Sequence, residues 1–284
     1  MNATFIHRST LLLLLLCPFL LLFSQEKELT ILHTSDTHSR IEPIDPNSSD
    51  RYAGMGGVIR RAAYINEKRA EDPELLLFDC GDFSQGTPYY NFFKGELEIL
   101  MMNEMGYTAA TIGNHEFDFG IENMARLFKM ADFPIVCINY EVKNTPLEGL
   151  VKPYLILERK GVKIGVFGVV PALEGLVQTE HYDGITFHDP IPLANEIAQK
   201  LKKEKKCDLV ICLSHLGLYP SALNRLSDEY LVQNTTHIDL VLGGHSHSLL
   251  KEPKIFLNQA GEGVPVMHTG SKGVFVGELI YQMK

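Results

Sequence analysis

A long basic run is missing from this sequence, and so are a CxxC pair, an internal repeat, a low-complexity segment and any recognisable linker. Each absence removes a class of protein. With no basic patch and a formal net charge of -9 over 284 residues, a nucleic-acid polymer is not the expected partner, because phosphate backbones are gripped by clustered lysine and arginine. The five cysteines do not make a disulfide scaffold, which a domain of this size does not need. Cys80, Cys137 and Cys212 sit in or beside apolar runs and read as buried thiols, with Cys207 and Cys17 as the remaining two. Without repeats or linkers, residues 25–284 are expected to form one domain. At 45% hydrophobic and 21% charged residues, that domain can bury a sizeable core and is not disordered.

Also absent is an apolar run long enough to cross a bilayer. Leu11 to Phe23 is apolar almost throughout, but about a dozen residues fall short of the roughly twenty that a span requires. Behind the polar, basic start His7-Arg8, the run matches a secretory signal over residues 1–24, with Ser24 as the small residue before cleavage. Cys17 opens a lipoprotein reading as the lesser alternative, since Leu14, Leu15 and Leu16 stand where a small residue would precede a lipidated cysteine. A retained anchor ranks below both. The expectation is an exported protein, periplasmic or extracellular, with no membrane span once the leader is removed.

What is present is an alternation of short apolar runs and amphipathic stretches. Strands are predicted at Leu29–His33, Leu75–Asp79, Ala109–Ile112, Ile135–Ile138, Leu209–Leu213 and Ile238–Leu242. A hairpin is predicted for Tyr154–Leu157 and Val162–Val169 around Lys160-Gly161. Helices are predicted over Gly57–Lys68, Glu96–Met105, Ile121–Met130 and Leu193–Lys205. The glycine-rich stretch Ile255–Tyr281 reads as all-β. This order implies a layered α/β architecture with parallel strands in the middle and hairpins at the end.

Five of the predicted strands run straight into unusual residues. Ser35-Asp36-Thr37-His38 follows the first, Asp79-Cys80-Gly81-Asp82 ends the second, and Gly113-Asn114-His115-Glu116 follows the third. Ser214-His215 and Gly243-Gly244-His245-Ser246-His247 follow the last two. A histidine after one strand is more often a structural residue than a ligand, and Gly-Asp is usually only a turn. Gly-Asn-His-Glu is far more specific, and the joint occurrence at strand ends is more specific still. In open α/β sheets, loops beyond the strand ends are where functional groups gather. Imidazole, carboxylate and amide oxygen together suit Mn, Fe, Zn or Co, whereas two acidic ligands are too few for a dedicated Ca or Mg cage. His33, His181, His188, His237 and His268 lack such context and read as core or surface residues. Glu116 reads as a support for its turn and Arg40 as solvated, with phosphate contact the alternative. Tyr89, Tyr90, Phe92 and Phe93 read as core-packing aromatics rather than a pocket lining.

The order DxH, GD, GNHE, H, GHxH resembles the calcineurin-like metallophosphoesterases over the whole chain after the leader. Gly81-Asp82-Phe83-Ser84-Gln85-Gly86-Thr87-Pro88 and Gly113-Asn114-His115-Glu116-Phe117-Asp118-Phe119-Gly120 resemble, more narrowly, the catalytic half of the 5′-nucleotidase family. The resemblance implies a four-layer α/β/β/α sandwich of two mixed sheets flanked by helices. It implies two divalent metal ions, the first on Asp36, His38 and His247, the second on Asn114, His215 and His245, with Asp82 bridging. Some nucleotidases carry glutamine where His247 stands. It further implies that a hydroxide bridging the metals attacks phosphorus, that Asn114 and His115 touch substrate, and that His115, oriented by Asp118, assists the leaving group. The implied activity is hydrolysis of phosphate esters, nucleotide phosphates foremost. The alternatives are a cyclic-nucleotide or broad-range phosphodiesterase or phosphatase acting alone, and a non-enzymatic, degenerate metal-binding module. Nucleotidases of this kind carry a second domain that grips the base. Since the sequence ends at Lys284, a separately encoded C-terminal domain is an expected candidate partner beside the small phosphorylated substrate.

Overall fold

The computed structural model describes residues 28–221 and 225–282, so the leader expected over 1–24, including Cys17 and Ser24, lies outside the described residues. The strands are β1 (Glu28–Thr34), β2 (Leu76–Asp79), β3 (Ala109–Ala110), β4 (Ile135–Val136), β5 (Tyr140–Glu141), β6 (Val151–Lys152) and β7 (Leu155–Arg159). They continue as β8 (Val162–Val169), β9 (Thr186–Phe187), β10 (Leu209–Ser214), β11 (Leu240–Gly243), β12 (Lys254–Leu257), β13 (Gly263–His268) and β14 (Gly277–Gln282). The helices are α1 (Val58–Glu71), α2 (Pro88–Phe93), α3 (Glu96–Met105), α4 (Gly120–Met130), α5 (Pro190–Gln199) and α6 (Asp228–Gln233).

Period-two alternation sorts the strand side chains into layers. On β1, Leu29 and Ile31 join Leu76 and Phe78 of β2 against Ile211 and Leu213 of β10 in one core, while Leu32 and Leu77 point the other way, toward α1, α3 and α4. On β10, Val210 and Cys212 turn outward to pack with Ala194 and Ile197 of α5 and Leu231 of α6. Three apolar cores between four layers follow, which is the α/β/β/α sandwich. Each fully buried Leu, Ile or Phe contributes roughly 1.5–3 kcal/mol, so alternation in two sheets is enough to hold this order.

One sheet runs β14-β1-β2-β3-β4-β6 and the other β12-β13-β11-β10-β8-β7. Strands β1, β2 and β3 are mutually parallel, as are β8, β10, β11 and β13. The hairpin β7–β8 forms around Lys160-Gly161 as expected. The last stretch is all-β but divides between layers: β12 and β13 pair in the second sheet, whereas β14 crosses to the first and runs antiparallel to β1. The runs after Ala110 and Val136 leave strand geometry two residues early, and α5 continues as a wider π turn over Lys200–Glu204. Two short helices were not anticipated. Both α2, entered through Pro88, and α6, capped by Ser227 accepting from the Tyr230 N–H, are six residues long, too short for periodicity to show. Of the aromatics expected in the core, only Tyr90 is buried, while Phe92 and Phe93 are exposed. Helix α2 can turn only one side inward. Among the described residues no helix is long and apolar enough to cross a membrane.

Candidate metal centre

The five loops that follow β1, β2, β3, β10 and β11 converge on one another. The Asp36 N–H donates to the Gly81 carbonyl (2.9 Å) and the His38 N–H to that of Asp82 (3.0 Å), tying the first loop to the second. The His115 N–H reaches the Asp82 carboxylate (2.9 Å) from the third. From the second sheet, the His245 N–H donates to Asp36 Oδ1 (2.9 Å). Gly244 is required for that approach, because a Cβ there would lie 3.0 Å from both Asp36 Oδ2 and His215 Nδ1.

Two triads result. The candidate ligand atoms of Asp36, His38 and His247 lie within 4.8 Å of one another, and so do those of Asp82, His215 and His245. Asn114 stands between Gly113, whose Cα faces Asp82, and His115, which bonds it. Five of these six triad residues have left-handed backbones: φ is 50° at Asp36, 48° at His38, 56° at Asp82, 73° at His245 and 53° at His247. Non-glycine residues are held there only when the surroundings over-determine the conformation, which is common at functional sites.

The donor set fits divalent cations. The His215 Nδ1–H faces the Cys80 carbonyl at 2.6 Å and the His38 Nδ1–H that of Ser84 at 3.3 Å. These second contacts aim each Nε2 inward as ligand-orienting carbonyls do. His38 Nε2 and His247 Nε2 then meet at 2.9 Å, two nitrogens converging on one point. His215 Nε2 stands 3.1 Å from Asp82 Oδ2 without hydrogen-bond geometry. Asn114 Oδ1 is buried and also lacks a hydrogen-bond partner. A buried amide oxygen and an imidazole nitrogen without partners, beside two carboxylates, are groups that a cation would satisfy.

Burial pushes the His38 and His245 pKa values down to about 4, so both rings are neutral and ligand-competent. Burial raises Asp36 to about 8. Burial acts the same way on Asp82, yet the imidazoles of His215, His38 and His115 outweigh it and hold that carboxyl well below the usual range. His215 is the counterpart: burial would lower it, but Asp82 and Asp36 lift it to about 10. The buried Asp82 carboxylate thus favours a proton on the facing His215 imidazole, a proton that a bound cation would displace.

His115 and Asp118 pair at 3.0 Å, each side chain about one-third exposed (32% and 31%). The hydrogen bond to Asp118 raises the His115 pKa against the opposing effect of burial. Its ring meets that of His38 edge-on at 5.4 Å. Glu116 supports more than its own turn: it accepts from the N–H groups of Gly113 (2.6 Å), Asp82 (3.0 Å) and Ser84 (3.1 Å). Asp79 braces the second loop through Thr34 Oγ1 (2.6 Å) and the Gly81 N–H (2.9 Å). All nine residues singled out beforehand are brought together here. His33 and His268 are buried as core residues, His268 at 2.5 Å from Asp228. Lys272 was overlooked. Its N–H donates to the Asp36 carbonyl (2.7 Å) from the loop after β13. The signal was the same as for the other five loops, polar residues after a strand, but without a histidine or acid to single it out.

A family model described as calcineurin-like phosphoesterase matches residues 29–249. The 5′-nucleotidase of Bos taurus is 33% identical over 272 residues, 89% of this chain and 46% of that protein. Among solved structures, the 5′-nucleotidase precursor of Thermus thermophilus superposes with a TM-score of 0.81 at 30% identity, over 91% of this chain and 52% of its own. The calcineurin-like phosphoesterase YfkN of Bacillus subtilis gives 0.74 at 29%, over 91% and 86%. The chain spans about half the length of the curated relatives it matches.

Proposed function

The chain belongs to the calcineurin-like phosphoesterase family of metal-dependent phosphoester hydrolases, and from that premise we propose that it hydrolyses phosphate monoesters, nucleotide phosphates foremost, at a centre for two divalent ions. The observation that carries this reading is the pair of adjacent triads with His115–Asp118 at their edge. Asp36, His38 and His247 would hold one ion, Asn114, His215 and His245 the other, with Asp82 between them. Mixed imidazole, carboxylate and amide donors favour Mn, Zn, Fe or Co. Bound there, such ions supply Lewis-acid polarisation of the phosphoryl oxygens and a lowered pKa for water.

The remaining work belongs to the protein. Hydrolysis forms a bond from water oxygen to phosphorus and breaks the bond from phosphorus to the leaving oxygen, which takes up a proton. His115 would give that proton, with the Asp118 carboxylate orienting the ring and favouring its protonated form. Asn114 and His115, on one turn, would also touch the phosphoryl group. Glu116 holds its own turn in register with the loop after β2. Export through the leader over 1–24 is part of the same proposal.

The test is phosphate release by chain from Gln25 onward, loaded with Mn or Zn, on 5′-AMP, a 2′,3′-cyclic nucleotide and nitrophenyl mono- and diesters. Chelator-sensitive turnover with preference for AMP is expected. No turnover with metal bound would overturn the catalytic reading. A second reading, in which base selection needs a further domain, is favoured by the exposed Phe92, Phe93 and Phe119, the last adjoining Asp118. It predicts turnover of simple esters with no preference for AMP.

A further inference from the structure

The loop between β13 and β14 brings a cation to the rim of the first triad. Lys272 holds a left-handed backbone (φ 62°) while its N–H bonds the Asp36 carbonyl at 2.7 Å. Its side chain is 39% exposed, and its ammonium pairs with the Asp50 carboxylate. Lys272, the Tyr52 N–H and, more weakly, the Arg40 guanidinium hold the Asp50 carboxyl below its usual range. Arg40 follows the first ligand loop, and its buried Nε lacks a hydrogen-bond partner. In a chain of net charge -9, Lys272 and Arg40 bring two cations to this side of the candidate phosphate-binding centre, Lys272 paired with Asp50.

Building on the phosphoesterase reading, we infer that Lys272 is a specificity residue that takes a second phosphate of the substrate, adjacent to the reacting one, with Asp50 as the resting partner that this phosphate displaces. The substrate class it favours is the diphosphate ester, such as a nucleoside diphosphate. An ammonium on a flexible stem is a point charge with three rotatable donors, suited to a phosphate whose position varies. A partly exposed lysine–aspartate pair contributes little to stability, so exchanging one carboxylate charge for a more highly charged phosphate is an easy trade. The bond cleaved is then a phosphoanhydride: the terminal phosphorus gains water oxygen, and the bridging oxygen leaves on the nucleoside monophosphate, which takes up the proton.

The experiment compares ADP with AMP, the base held constant, on Mn-loaded full chain. KM is measured on otherwise wild-type protein, and Kd by calorimetry in a His115→Ala background, where turnover is slow. Lys272→Met is expected to raise both constants for ADP about tenfold, the scale of one charge-assisted contact, while leaving AMP within about twofold. Asp50→Asn, which frees the lysine, is expected to lower them for ADP. Equal shifts for both nucleotides, shifts for neither, or a loss of Tm alone would overturn the assignment and leave the pair as a loop fastening. Failure of the wild type to bind ADP would overturn it as well. If the wild type turns over no ester, the hydrolytic reading fails, while the ratio of ADP to AMP affinity still decides this one.

Discussion

The two triads share a chemistry and differ in setting. Asp82 and His215 have side chains 3% and 0% exposed, pinned between the sheets and backed by the Cys80 carbonyl. In the other triad Asp36 is equally buried, but the His247 side chain is 49% exposed. One is thus built into the sandwich, and the other is completed by a side chain from its surface. If each triad holds an ion, the buried one would keep its ion against competition, while the open one would trade ions and admit substrate.

The comparison breaks most severely at Asp82, which faces His215 and receives the His115 N–H. Asp82→Asn is expected to lower turnover of nitrophenyl phosphate on the order of a thousandfold or more. Wild-type-like rates there would remove the buried triad from the chemistry. His115→Ala should cost about a hundredfold and Asp118→Asn about tenfold, within the range of general acid catalysis. Equal losses in both variants would mean that the aspartate does more than orient the ring.

The asymmetry itself is sharpened by metal counting. His247→Gln is expected to leave one tightly held ion per chain, by elemental analysis after dialysis, with activity down about tenfold to a hundredfold and Tm little changed. His215→Gln should lose the buried ion and lower Tm. Chelator titration of the wild type should be biphasic, and a single phase would make the two triads equivalent. The smallest effect is expected at the far end of the sandwich, where the Lys160 ammonium in the β7–β8 turn meets Asp72 at 2.7 Å. Burial there pushes the Asp72 carboxyl up, but Lys160 and the Thr30 N–H outweigh it and hold it below its usual value. A depressed carboxyl stabilises the fold above the unfolded value of about 3.9 and stops doing so as pH falls through the lower folded value. Lys160→Ala should therefore cost at most about 1 kcal/mol at pH 7, vanish at strongly acidic pH in thermal melts, and leave the metal content of both triads unchanged.

The site was more legible in the sequence than the packing around it. The residues it gathers are local, each lying within a few residues of an apolar strand, so Asp36, His38, Asp82, Asn114, His215, His245 and His247 could be read one loop at a time as candidate ligands. Glu116 could not be placed in the same way, because two of the three N–H groups it accepts, those of Asp82 and Ser84, are more than thirty residues away. Phe92 and Phe93 were misplaced for a related reason. Hydrophobicity says that a residue gains by burial, but only the neighbours of α2 decide which of its sides is covered. Lys272 has the most ordinary appearance of all, and its position depends on a loop that meets Asp36 from the opposite end of the chain.

Strand β14 carries a consequence for the order of events in synthesis. It covers one side of β1, and the side chains of Gln282 and Glu28 meet across 254 residues of chain. At roughly 5–20 residues per second, about 13 to 50 s separate the emergence of the two partners from a ribosome. Throughout that interval one edge of β1 has every backbone donor and acceptor on that side unmatched, which is a template for pairing with another copy. Among the described residues, the first strand is also the last to be sealed, so a nascent chain exposes that edge until β14 arrives.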